Sequence, residues 1–159
     1  MDKTVYTILI HYSEIALKKN NRSYFERIFI NNINLHLKNL PFSNIKLIAA
    51  RIFIYDINPD IWQQYVDRLN NVMGLKNATL MVEVKSNLES IKNASIKIIY
   101  NQKFDNFRIT TKRHHKQLEF NSQDTNLFIG ECVQKETNKP VNLSNPDFNL
   151  IIELLKNKS

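Results

Sequence analysis

Glycine is nearly absent from this 159-residue chain: there are two, Gly74 and Gly130. Nucleotide-binding loops of the Walker and dinucleotide types need several glycines within a few residues, so that the backbone can close around phosphate. Two glycines more than fifty positions apart exclude every such loop. Cysteine is scarcer still, with Cys132 alone. That excludes an internal disulfide and any multi-cysteine metal site, and it fits a reducing, cytoplasmic setting. Cys132 lies in an apolar helical pattern between Phe128 and Val133, with no His/Asp partner pattern, and reads as an inert buried thiol. Met1-Asp2-Lys3 leads into strand-like residues with no secretory apolar region. No apolar run approaches the roughly 18–20 residues of a membrane span. Paired carboxylates, a nucleophile triad and a Gly/Ser-rich linker are also missing. The four histidines include only one adjacent pair, His114-His115. Neighbours in a strand point to opposite faces, so they do not make a metal site; hydrogen bonds to an anion or plain exposure are the alternatives. The expectation is no cofactor, no metal and no membrane partner.

What is present begins with apolar residues, 43% of the chain, enough for a real core. Residues 4–12 suit a buried strand. Phe25, Phe29, Ile33 and Leu37, with Ile28 beside them, predict an amphipathic helix over 23–39, opened by a capping box of Ser23 and Glu26. Residues 45–57 read as one long strand or a hairpin. Asn58-Pro59 starts a helix whose buried face is Ile61, Tyr65, Leu69, Val72 and Met73, with Gly74 as a left-handed terminus. Residues 78–84 read as a strand. Strand, helix, strands, helix, strand is the order of a ferredoxin-like unit.

A second unit follows. Ser86 to Glu89 form another capping box, and Leu88, Ile91, Ser95, Ile98 and Ile99 mark a helix to about 102. Residues 106–113 predict a strand. Asn121 or Ser122 caps a helix to about 137 with Leu127, Phe128, Cys132 and Val133 inward. A short strand at 141–143, a turn at Asn145-Pro146-Asp147 and a last strand at 148–155 complete the chain. The fold class is therefore α+β, with an N-terminal domain over 1–84 packed against a second α/β domain over 85–159.

Charge is concentrated. The chain carries +7 overall. Residues 85–159 hold 12 Lys/Arg against 8 Asp/Glu, and 103–117 hold Lys103, Arg108, Lys112, Arg113 and Lys116 against Asp105 alone. Period-2 geometry puts Arg108, Thr110 and Lys112 on one face of the strand, away from Phe107 and Ile109. Arg113, His114, His115 and Lys116 extend the patch past the strand end. A focused cationic patch suits a phosphate backbone; its plainer reading is a solvated sheet face. A second cluster, Lys18, Lys19 and Arg22, falls on a strand-to-helix turn, where helix N–H groups and the dipole favour an anion. A solvated surface turn is the alternative there.

Two motifs resemble a known family. Tyr12, Glu14-Ile15-Ala16-Leu17-Lys18, Asn21-Arg22 and Phe25-Glu26 are similar to the N-terminal signature of the tRNA 4-thiouridine synthetases (tRNA sulfurtransferases). Phe107-Arg108-Ile109-Thr110-Thr111-Lys112-Arg113, then Phe120, Ser122, Gly130, Val141-Asn142-Leu143 and Asn145-Pro146-Asp147, resemble a THUMP domain. The resemblance covers essentially the whole chain and implies a ferredoxin-like domain followed by a THUMP domain. It implies binding of the tRNA acceptor region, which presents a uridine to a catalytic domain. RNA-binding residues are then expected at Lys18, Lys19, Arg22, Arg108, Lys112, Arg113, His114 and Lys116. Ser13 and Lys19 stand where the family has glycine, and Asn142 where it has aspartate. The family's Ser-Gly-Gly-x-Asp-Ser loop and reactive cysteine are absent. The expected role is thus RNA binding without catalysis, with a separate nucleotide-binding catalytic subunit as a partner. The rival reading is a protein-interaction adaptor whose basic face meets an acidic partner protein.

Overall fold

The computed structural model describes residues 4–13, 21–48, 51–114 and 118–155. The chain divides into two compact units, Met1–Val82 and Glu83–Ser159.

In the first unit, β1 (Val5–Tyr12), β2 (Ile45–Ile48), β3 (Arg51–Tyr55) and β4 (Leu75–Glu83) form one sheet in the order β2-β3-β1-β4. β3 runs antiparallel to both β2 and β1. Residues 45–57 therefore resolve as a hairpin. The split order is that of the expected ferredoxin-like unit. Register places Ile8 opposite Ile54 and Ile10 opposite Ile52. All four are fully buried against Phe29, Ile33 and Leu37 of the α1 region and Tyr65 and Leu69 of α2. α1 spans Arg22–His36 and α2 spans Trp62–Leu69. Tyr65 is buried, yet its hydroxyl is satisfied at both ends: it donates to Pro41 O and accepts from Asn58 N at 3.1 Å. That pairing removes the cost of burying the phenol. Asn58 caps the turn at Pro59–Ile61 through Asp60 N, 3.0 Å away, as its position before proline predicts.

The second unit pairs β5 (Phe107–Arg113) and β6 (Phe148–Leu154) in parallel. α3 (Leu88–Tyr100) and α4 (Ser122–Thr137) pack together, and α4 also packs on β5. Parallel neighbours need a long crossover, and the 16 residues of α4 supply it. The core joins Ile91 and Ile99, Phe107 and Ile109, Ile129 and Val133, and Leu150, Ile152 and Leu154.

Several local expectations need correction. Ser23 does not cap α1: Asn21 holds that position without a side-chain bond, and Glu26 is engaged by Arg22 and Tyr12 instead. With the helix starting at Arg22, Ser23 already lies inside the first turn. The exposed flank of α1 includes Phe25 and Ile28, because the buried stripe is confined to Phe29, Ile33 and Leu37. Met73 is 89% exposed, since α2 has ended at Leu69 and helical spacing no longer applies. Gly74 does adopt a left-handed φ of 89°, but in the turn beyond the helix, where its carbonyl accepts from Ser13 N at 2.8 Å. Asn87, not Ser86, caps α3, accepting from Ser90 N at 2.8 Å. Asn121 caps α4 in a reciprocal box with Asp124. That cap turns Thr125, Ile129 and Val133 inward, which leaves Leu127 62% exposed and Cys132 on the half-buried flank. Positions two apart on a helix lie about 200° apart, so Leu127 cannot share the face of Thr125. Residues 141–143 contribute only a single bridge, Val141 to Phe107.

Truncating Ile33, which is fully buried, to alanine should cost about 2–5 kcal/mol of unfolding free energy. Met73→Ala should stay within about 0.5 kcal/mol. Urea titration of both variants checks the contrast, and equal midpoints would refute the burial assignment.

Candidate nucleic-acid interface

The polar face of β5 arises from simple alternation. Phe107, Ile109 and Thr111 turn into the core, while Arg108, Thr110 and Lys112 stay half-buried on the opposite side. Parallel register sets Arg108 beside Asn149, Thr110 beside Ile151 and Lys112 beside Glu153. Among the described residues, four of the expected binding residues, Arg108, Lys112, Arg113 and His114, therefore share one strand and its exit. Among the described residues, Lys112 has no hydrogen-bond or ion-pair partner, which leaves its ammonium open to an incoming anion.

The other cations are more engaged than their sequence suggests. Arg108 donates from Nη1 to Leu143 O at 2.9 Å. Asn149 completes the arrangement when its amide oxygen faces Arg108. It then accepts from Nη2 at 3.2 Å and donates to Arg108 O at 3.2 Å and to Thr110 Oγ1 at 2.7 Å. Arg113 donates from Nη2 to Leu118 O at 3.4 Å. His114 Nε2 meets Glu153 Oε2 at 2.5 Å, and the glutamate side chain is 3% exposed. The backbone N–H of His114 also bonds Leu154 O at 3.0 Å, so the strand end is held by backbone and side chain together. Lys116 and His115 lie outside the described residues.

Arg22 is exposed at the start of α1 and pairs with Glu26 at 2.8 Å. Tyr12 donates to the same carboxylate at 3.2 Å. Burial pushes the Tyr12 hydroxyl above the ordinary tyrosine value, with Glu26 adding to the shift and Arg22 opposing it. The hydrogen bonds to Glu26 and Tyr12 hold the Arg22 guanidinium even more firmly protonated. Lys18 and Lys19, expected beside Arg22, fall outside the described residues.

Two participants escaped sequence reading. Asn149 and Glu153 belong to an otherwise apolar strand and take part only because parallel pairing sets them beside Arg108 and Lys112. Their spacing of four, matching that of Arg108 and Lys112, was the available signal. Among the described residues no group of three or more His, Cys, Asp or Glu could hold a metal ion, and no helix is long and apolar enough to cross a membrane.

A family model of the ThiI ferredoxin-like domain matches residues 7–79, and one of the THUMP domain matches 85–159. The chain belongs to the ThiI ferredoxin-like and THUMP domain families. It is 30% identical over 148 residues to a probable tRNA sulfurtransferase of Caldanaerobacter subterraneus, covering 92% of this chain and 38% of that protein. A probable tRNA sulfurtransferase of Mycoplasmopsis synoviae is 31% identical over 150 residues, covering 94% and 37%. The chain thus spans well under half the length of these curated relatives. Among solved structures it resembles PH1313 of Pyrococcus horikoshii, with a TM-score of 0.83 at 24% identity, over 96% of this chain and 52% of that one. A 4-thiouridine synthetase solved in complex with RNA and ATP gives a TM-score of 0.81 at 23% identity, over 97% and 39%. At these identities the likeness establishes the ferredoxin-like and THUMP folds.

The His114–Glu153 contact should be energetically coupled. A double-mutant cycle over His114→Ala and Glu153→Gln, read by chemical unfolding, should give a coupling of about 1 kcal/mol or more. Additive losses would assign the contact no part in holding the strand end.

Proposed function

We propose that this chain is a tRNA-binding module for thiouridine modification, holding the acceptor region of tRNA for a catalytic, nucleotide-binding domain. The observation that carries the reading is the cationic polar face of β5, set on a THUMP domain whose curated relatives are tRNA sulfurtransferases. A phosphate backbone is recognised by cations held in register, and a strand spaces alternate side chains about 6.6–6.8 Å apart. Lys112, Arg113, His114 and Lys116, with Arg108 at the head of the strand, form the RNA-facing surface of the second unit. Lys18, Lys19 and Arg22 form a second contact in the first unit, with Arg22 exchanging part of its bond to Glu26 for phosphate. The division of labour follows residues 1–84 and 85–159.

Catalysis belongs to a separate polypeptide in this reading. The motif that would bind ATP has no counterpart here: Gly74 sits in a turn and Gly130 is buried within α4. Mixing the chain with a protein that carries a Ser-Gly-Gly-x-Asp-Ser loop should raise tRNA thiolation above that of either alone. Full activity of the second protein without this chain would remove the split-enzyme element.

Binding itself is tested by salt. Each phosphate contact contributes roughly 0.7–0.9 to the slope of log K against log salt. Changing both Lys112 and Arg113 to alanine should weaken tRNA binding and flatten the slope by about 1.4–1.8. An unchanged slope in the folded double variant would remove these residues from the interface. Equal affinity of the unaltered chain for tRNA, duplex DNA and an acidic protein would favour the adaptor reading.

A further inference from the structure

Arg108 heads the cationic face, yet its guanidinium is committed internally. Nη1 is held by Leu143 O at 2.9 Å and Nη2 by Asn149 Oδ1 at 3.2 Å, while Nε is buried with no partner. An arginine grips phosphate with two parallel N–H groups along one edge of its fork. One edge of Arg108 is lost to burial of Nε, and each nitrogen of the other already spends one of its two N–H groups on a protein acceptor.

What Arg108 holds is the loop between α4 and β6. The loop is anchored at each end beside the start of β5. Asn142 N donates to Phe107 O at 2.8 Å and Phe107 N to Pro140 O at 3.2 Å. At the far end Asp147 Oδ2 accepts from Asp105 N at 3.0 Å, and Asp147 N donates to Asn106 Oδ1 at 2.8 Å. Within it, Asn142 Oδ1 accepts from Ser144 N at 3.2 Å and Asn145 N at 3.1 Å, folding the chain back on itself. Leu143, at the crown, is 72% exposed and does not belong to the apolar core of this unit; its carbonyl is taken by Arg108.

We propose that Arg108 is a positioning residue of the RNA-binding face: it fixes the Val141–Asp147 loop beside the start of β5 and takes no phosphate itself. This rests on the reading of the chain as a tRNA-binding module. The side chain works as a two-point clamp, one point on the loop and one on β6. Lysine, with a single compact ammonium, cannot reproduce both bonds at this geometry, so charge alone does not replace it.

The test compares Arg108→Ala, Arg108→Lys and Lys112→Ala with the unaltered chain. Each is measured for tRNA affinity across a salt series and, without RNA, for amide hydrogen exchange over residues 141–147. Both Arg108 variants should speed exchange in that loop. Both should weaken tRNA binding about tenfold, the scale of one hydrogen bond to a charged group, with the salt slope unchanged. Lys112→Ala should leave loop exchange unchanged and lower the slope by roughly 0.7–0.9. The proposal is overturned if Arg108→Ala lowers the slope by that amount with the loop still protected. It is also overturned if Arg108→Lys binds like the unaltered chain. Failure of the unaltered chain to prefer tRNA over a polyanion would instead overturn the functional reading, and the RNA part of this inference with it. The exchange data would still decide whether Arg108 holds the loop.

Discussion

Parallel pairing of β5 with β6 is the constraint on which the rest of the second unit depends. One register decision aligns Ile109 with Leu150 and Thr111 with Ile152 on the core side. The same decision sets Arg108 with Asn149 and Lys112 with Glu153 on the other. A slip of one residue would exchange the faces, burying cations and exposing isoleucines. Burial of an unpaired cation is far costlier than loss of a single ladder bond, so the apolar set locks the register and the polar set follows. The cationic face is a by-product of hydrophobic packing on its reverse.

The first unit obeys the same logic with antiparallel strands. Ile8, Ile10, Ile52 and Ile54 pair across β1 and β3 and receive two helices. Its polar ties close the chain where packing does not reach. Ser13 N bonds Gly74 O, and Tyr12 and Arg22 converge on Glu26. These ties flank residues 14–20 in sequence, and those to Glu26 explain why it is unavailable as the partner of a capping box. Two side-chain donors, one of them charged, outcompete a single backbone N–H for that carboxylate.

Functionally, the two halves of the basic face differ in kind. Lys112 keeps its charge uncommitted among the described residues, whereas Arg108 and His114 are each bound to a protein acceptor. Composition weighs these cations equally. Geometry separates the cation left open from those already bound to protein acceptors.

The sequence by itself determined the α+β class, the order of elements, the alternation of β5 and the family. Each depends on local period or on short motifs, and both are written in consecutive residues. Helix termini were legible where an Asx residue had one clear use, as at Asn58 and Asn121. They were misread where a competing partner lay elsewhere in the fold, as with Glu26. The inward face of α4 was set by its cap and by the strands beneath it, not by the most apolar residues of the helix. Only tertiary structure decided that Asn149 and Glu153 join the basic face and that Arg108 clamps a loop. Those outcomes depend on residues 35 to 41 positions apart meeting in register, and no local pattern encodes which distant acceptor a guanidinium will find.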